Sequence, residues 1–130
     1  MNSKQGSRGK WRWVVAIVLL IGIVYSSLPL PAASSSNCEP VEGKVVKVEN
    51  GSGASDVVIV LANDNAYYYI NRGLDRGVKL DALAKQLVDK TVTVYYIKHW
   101  SILNFSGKTR HVARIVVNDE VAYNEWKENQ

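Results

Sequence analysis

The chain lacks the residues that usually cross-link or catalyse in a small domain. Cys38 is the only cysteine among 130 residues, which excludes an intramolecular disulfide and a cysteine-based zinc site. The sequence has no nucleophile elbow, no His-Glu-x-x-His motif, and no cysteine with a base partner beside it. We therefore predict that the protein is not an enzyme, that it uses no metal and no cofactor, and that its folded part depends on an apolar core.

Acidic residues are absent from the first part of the chain. None precedes Glu39, whereas four of the 16 basic residues lie in the first twelve positions. The other twelve basic residues follow Cys38 and balance the 12 acidic residues there, so the formal charge of +4 belongs to the N-terminus. A domain without net charge has no strong attraction to phosphate backbones. We therefore predict no nucleic-acid partner.

An uncharged stretch, Trp13 to Leu30, follows the basic tail, with the apolar centre VVAIVLLIGIVY. Its 18 residues are near the lower limit for a helix that crosses a hydrocarbon core of ~30 Å. Basic residues before such a segment stay in the cytoplasm. We predict a cytoplasmic tail (1–12) and a transmembrane signal-anchor (13–30), with the rest of the chain outside the cytoplasm. The small residues in PAASSSN also allow cleavage by a signal peptidase, which would release a secreted domain.

A linker (31–40) and one β-rich domain (41–126) follow. Alternating apolar residues between turn signals predict strands, and an i, i+3, i+7 leucine pattern predicts one helix. The predicted strands are 43–49, 56–62, 66–70, 91–97, 111–117 and a short 121–123, and the helix is 80–88. In the first strand we expect Val46 and Val48 on one face.

The order β-β-β-α-β-β predicts a mainly β fold with one short helix, an OB-like small barrel. An open α+β sheet with the helix across one face would give the same order. Periodicity alone does not separate a closed sheet from an open one.

Three sequence stretches carry a family resemblance: Tyr68 to Leu74 (YYINRGL), Val94 to Trp100 (VYYIKHW) and the pair Arg110–His111. Together they resemble a group of small uncharacterised bacterial proteins that join an N-terminal membrane segment to one compact β-rich domain. The resemblance implies a bacterial origin and an envelope location, and it implies no catalytic residue.

The tyrosines of the third strand are the first candidate site. Tyr67 and Tyr69 share one face, and that face is where OB-folds bind oligonucleotides or oligosaccharides. Alternatively, Tyr68 and Ile70 pack in the core while the other tyrosines cover an ordinary β surface.

Histidines and arginines supply the other candidates. If 91–97 and 111–117 form an antiparallel hairpin, His99 and His111 face each other near its mouth, beside Trp100. Two imidazoles can bind a transition metal, but no Asp, Glu or Cys between Lys98 and Asn118 completes the ligand set. Arg72 lies in a glycine-containing turn that can hold a carboxylate or phosphate.

These patterns predict a single-pass membrane protein whose extracytoplasmic domain binds another envelope protein without catalysis. The alternative is a secreted periplasmic ligand-binding domain, released by signal cleavage. Its predicted contact residues are Tyr67, Tyr69, Arg72, His99, Trp100 and His111.

Overall fold

A computed structural model describes residues 7–26, 32–53, 55–98, 104 and 106–127. The chain divides into two compact units, residues 1–31 and 32–130. The first unit contains helix α1 (Ser7–Ser26), in which apolar residues occupy every side from Val14 to Val24. Among the described residues, no helix combines the length and the hydropathy that a membrane crossing requires.

Within its described residues, the second unit contains six strands and one helix. They are β1 (Cys38–Asn50), β2 (Val57–Leu61), β3 (Tyr67–Ile70), α2 (Leu80–Leu87), β4 (Thr91–Ile97), β5 (Thr109–Val117) and β6 (Glu120–Asn124). The predicted order of elements is confirmed, and each predicted strand overlaps an observed one. Strand β1 begins inside the stretch 31–40 that was predicted as a linker, where Ala33 is also buried.

The sheet closes into a barrel. Its order is β3-β2-β1-β4-β5-β6, and β3 also pairs with β5 in parallel, so five strands form a closed circuit. The other pairs in the circuit, β1–β2, β2–β3, β1–β4 and β4–β5, are antiparallel. This barrel, with its helix between the third and fourth strands, is compatible with the predicted OB-like fold. The open-sheet alternative is not what the chain adopts.

A β-bulge in β1 changes which valines face the core. Val45 pairs with Leu61 and Lys47 with Val60, so β1 has one extra residue between these two pairs. Val46 is that residue and is 54% exposed, whereas Val45 is fully buried and Val48 nearly so. The prediction that Val46 and Val48 share a face is therefore wrong, because a bulge shifts the alternation by one position.

The barrel interior forms one apolar core. Leu83 and Leu87 of α2 belong to the same buried cluster as strand residues such as Val45, Tyr68 and Ile115. Fully burying one side chain of this size stabilises the fold by about 1.5–3 kcal/mol. A smaller cluster of Ala33, Ile97 and Ala113 lies against Cys38 and Trp126.

Candidate functional site

The side chains of strand β3 alternate between the inner and outer faces of the barrel wall. Tyr68 and Ile70 are fully buried, while Tyr67 and Tyr69 are partly exposed on the outside. The burial of Tyr68 and Ile70 agrees with the core packing considered for these two residues. It leaves Tyr67 and Tyr69 available to form an outer surface.

The parallel pairing of β3 with β5 extends this outer surface. Tyr69 lies opposite His111 in the register, and their rings stack with centroids 5.5 Å apart. The rings of Tyr67 and Tyr69 are 6.0 Å apart. We call Tyr67, Tyr69 and His111 the tyrosine row. Burial and the nearby carboxylates of Asp56 and Glu125 raise the pKa of the Tyr69 hydroxyl, which stays protonated at neutral pH.

The side chain of His111 contacts Glu125 in the C-terminal segment. His111 is only 7% exposed, and its Nε2 lies 2.9 Å from Glu125 Oε2. The Tyr123 hydroxyl donates to the other oxygen of Glu125, and Arg76 Nη1 donates to that same oxygen at 2.6 Å. One carboxylate therefore joins β5, β6 and the loop before α2. We call His111, Glu125, Tyr123 and Arg76 the Glu125 network.

Electrostatics favour the ionised form of this carboxylate. Burial by itself would raise the pKa of Glu125, but hydrogen bonds from His111 and Tyr123 and the charges of His111 and Arg76 outweigh it and lower the pKa. Burial and the hydrogen bond to Glu125 raise the pKa of the Tyr123 hydroxyl. The Glu125 carboxylate is therefore ionised and the Tyr123 hydroxyl protonated near neutral pH. Neither group readily exchanges a proton at this pH.

Arg72 is engaged within its own turn. Its φ of 51° lies in the left-handed region, and its backbone N–H donates to Asp56 Oδ1 at 2.8 Å. Its guanidinium pairs with Asp75 at 3.2 Å, and Asp75 also accepts a hydrogen bond from Ser55. The structure places the exposed Arg72 side chain in an ion pair, and the predicted role in anion binding stays a prediction.

Two predicted site residues, His99 and Trp100, lie outside the described residues, so the predicted facing of His99 and His111 is not placed. The antiparallel β4–β5 pairing on which it depended is present. Within the described residues, no three His, Cys, Asp or Glu side chains converge as metal ligands would.

A second polar network, which the sequence did not reveal, lies at one end of the barrel around Arg110. Its Nη1 donates to the Tyr68 hydroxyl at 2.6 Å, and Tyr68 donates to Asp64 Oδ2 at 2.6 Å. The guanidinium lies 4.5 Å from the centre of the Tyr96 ring, and Tyr96 donates to Glu39. Burial and the bond to Asp64 raise the pKa of Tyr68 to about 12.

The sequence contained only a weak signal for either network. The alternation in TVTVYYI predicted strand β4 but no partner for its Tyr96 side chain. Glu125 lies at the end of the predicted domain (41–126), and the sequence predicted no role for it. Glu125 contacts His111 and Arg76, which lie 14 and 49 positions earlier in the chain.

An open groove of about 440 Å³ lies beside the Glu125 network. The loop before α2 and α2 itself form part of its lining, and β6 forms the rest. The lining residues are Arg76, Gly77, Val78, Lys79, Ala82, Leu83, Gln86, Ala122, Tyr123 and Asn124.

The buried acids and hydroxyls of the two networks described above already have hydrogen-bond partners. Comparison of the chain with protein-family models, with curated proteins and with solved structures gives no match. The resemblance to small membrane-anchored bacterial proteins therefore stays a prediction beyond the β-rich barrel itself.

Proposed function

We propose that this protein is a non-enzymatic binding protein of the bacterial envelope. Residues 13–30 attach it to the inner membrane, the N-terminus stays in the cytoplasm, and the barrel contacts another envelope protein on the opposite side. Part of the proposed anchor, residues 27–30, lies outside the described residues.

The observation that carries the attachment is the surface of α1. Apolar side chains surround this helix instead of forming one stripe, and the large ones from Val14 to Val24 are 41–66% exposed. A helix that is apolar on all sides is stable when it is buried in protein or lipid. The basic residues Lys10 and Arg12 precede this region, as expected at a cytoplasmic boundary.

Two features of the barrel support a binding role. In the tyrosine row, Tyr67 and Tyr69 offer partly exposed aromatic rings, and tyrosine is enriched at protein interfaces. The Glu125 network holds His111, and one face of the Tyr69 ring stacks on the His111 ring. Less of the ring remains free to stack on a sugar or base, which favours a protein partner.

A cleaved, secreted form is the second candidate, and the length of the apolar region favours it. The run from Trp13 to Tyr25 spans ~20 Å at 1.5 Å per residue, which is within the range of a signal-peptide core. In this form, the barrel acts as a soluble periplasmic ligand binder.

Alkaline phosphatase fused to the C-terminus tests the orientation. We expect an active reporter, and an inactive reporter at normal expression would contradict both forms. Carbonate extraction then separates them: an anchored protein stays in the pellet at full length, and a cleaved one is released at lower mass. Replacing Ile17 and Leu20 with arginine should abolish export, since each central arginine opposes insertion by about 2.5–3.5 kcal/mol. The matched control, Ser36→Arg, should not.

A further inference from the structure

Among the strands that the structure describes, none pairs with the outer edge of β6. The first half of β5 pairs with β3 and its second half with β6. Strand β6 ends the sheet order, and within the described residues it pairs with β5 alone. The backbone N–H and C=O groups on its other side are therefore available to a further strand.

The groove of about 440 Å³ runs beside this edge. Its wall includes Ala122, Tyr123 and Asn124, which are consecutive residues of β6, and the other walls come from α2 and the loop before it. An added strand lies ~4.7–4.9 Å from its neighbour. A strand added to the outer edge of β6 would therefore lie close to the groove-lining residues of β6.

The lining of the groove indicates what kind of strand fits. Leu83, Val78 and Ala122 supply apolar surface, and the charged lining residues, Arg76 and Lys79, are both basic. Arg76 already forms an ion pair with Glu125, whose side chain is only 11% exposed. Lys79 forms no ion pair within the part of the chain that the structure describes. Acidic side chains alternating with apolar ones match this surface.

Strand β6 has only some of the protection that edge strands usually have. Natural edges carry lysine or proline, or are short and bulged. The sequence of β6, EVAYN, contains neither lysine nor proline. It is five residues long and has an irregular register between Ile115 and Val116 of β5. The exposed Val121 lies at this edge strand.

We propose that β6 binds an extended, acidic segment of a partner protein as an additional strand, with Lys79 as the main charge contact. This inference deepens the proposed function, on which it rests, by naming the form and charge of the partner segment. Main-chain hydrogen bonds supply affinity in such complexes, and the side chains supply specificity.

The test uses the full chain in detergent and a fluorescein-labelled heptapeptide of alternating glutamate and valine. Binding is measured by fluorescence anisotropy. Two further peptides carry backbone N-methyl groups, one at the odd positions and the other at the even positions. Because alternate N–H groups of a strand point to opposite sides, one of these peptides should lose binding while the other keeps it.

Charge reversal supplies the second measurement. Lys79→Glu should weaken binding about tenfold, because an attraction becomes a repulsion. The matched control is Lys90→Glu, an exposed lysine that does not line the groove, and it should change affinity less than twofold. A peptide with lysine in place of glutamate should bind the parent chain more weakly and the Lys79→Glu variant more strongly. Amide exchange of residues 120–124 should slow when the acidic peptide binds.

Several results would overturn the proposal. Equal binding of both N-methylated peptides, or equal effects of the two lysine substitutions, excludes strand addition beside Lys79. Another such result is a dimer of the chain that the peptide does not change and whose β6 amides are already protected from exchange. In that case a second copy of the chain, and not a partner segment, occupies the edge of β6. If no peptide binds while the exported chain still forms a specific cross-link to an envelope protein through Tyr69, this inference fails and the proposed function stands. An inactive phosphatase reporter would instead reject the proposed function.

Discussion

The Glu125 network allows a sharp test of how the C-terminal segment is held. Glu125→Gln keeps the shape of the side chain but removes the negative charge that interacts with His111, Tyr123 and Arg76. The side chains of His111 and Glu125 are only 9% and 11% exposed, so their interaction is poorly screened by water. Arg76 is 49% exposed and contributes at most about 1 kcal/mol.

The magnitude follows from these contacts. Hydrogen bonds to a charged group contribute about 1.5–3 kcal/mol each, and the glutamine carbonyl can replace only part of them. We expect Glu125→Gln to lower the free energy of unfolding by about 2–4 kcal/mol at pH 7. For a domain of this size that corresponds to a fall in Tm of about 10–25 °C. Glu120→Gln, at the exposed start of β6, should stay within about 0.5 kcal/mol.

The pH dependence supplies an internal check. Because the pKa of Glu125 is lowered in the folded protein, its charge stabilises the fold above the unfolded pKa of about 4.3. That contribution is lost as the pH falls through the folded pKa. The difference between the parent and Glu125→Gln should therefore shrink below about pH 4.

Near-ultraviolet circular dichroism of the full chain in detergent, followed during thermal unfolding, measures this difference. A Glu125→Gln variant that unfolds within about 0.5 kcal/mol of the parent at pH 7 would refute the reasoning. So would a difference that is unchanged at pH 3.

Three further predictions concern the barrel. Leu87→Ala, at a fully buried position of α2, should lower the free energy of unfolding by about 2–5 kcal/mol in urea titrations, whereas Val121→Ala on the exposed surface should have a much smaller effect. Tyr68→Phe removes the hydroxyl that joins Arg110 to Asp64 and should cost about 1–3 kcal/mol. Since the pKa of Tyr68 is raised to about 12, its contribution is complete below about pH 10 and is lost as the pH rises through 12. The parent should therefore lose stability across this window more steeply than Tyr68→Phe, and equal slopes would contradict the assignment. Gly73→Ala places a Cβ 2.9 Å from Ile70 Cγ2 and 3.1 Å from Val57 Cγ2, and should lower stability by about 1–3 kcal/mol through overpacking; an unchanged urea midpoint would show that the core yields there.

Local patterns in the sequence were sufficient to predict the elements of the barrel. The alternation of TVTVYYI predicted β4 at its observed bounds, Thr91–Ile97, because side chains of a half-buried strand alternate between core and solvent. The leucine spacing predicted a helix at 80–88, and α2 ends one residue earlier at Leu87 because Val88 is already extended. Such signals depend only on neighbours in the chain.

Properties that depend on distant residues could not be predicted in this way. The closure of the sheet requires β3 to meet β5 about 40 residues later, and periodicity is the same for open and closed sheets. The bulge at Val46 is invisible locally, because the residues KVVKV give no sign of which valine is extra. It is fixed by the register with β2.

The sequence by itself determined the secondary structure, the basic N-terminus and the neutral charge of the domain, since each follows from residue type and spacing. The tertiary structure decided which tyrosines face outward together and which carboxylate His111 contacts. It also decided which edge of β6 has no partner among the described strands. These features arise when strands far apart in the chain come into register, so they depend on long-range packing.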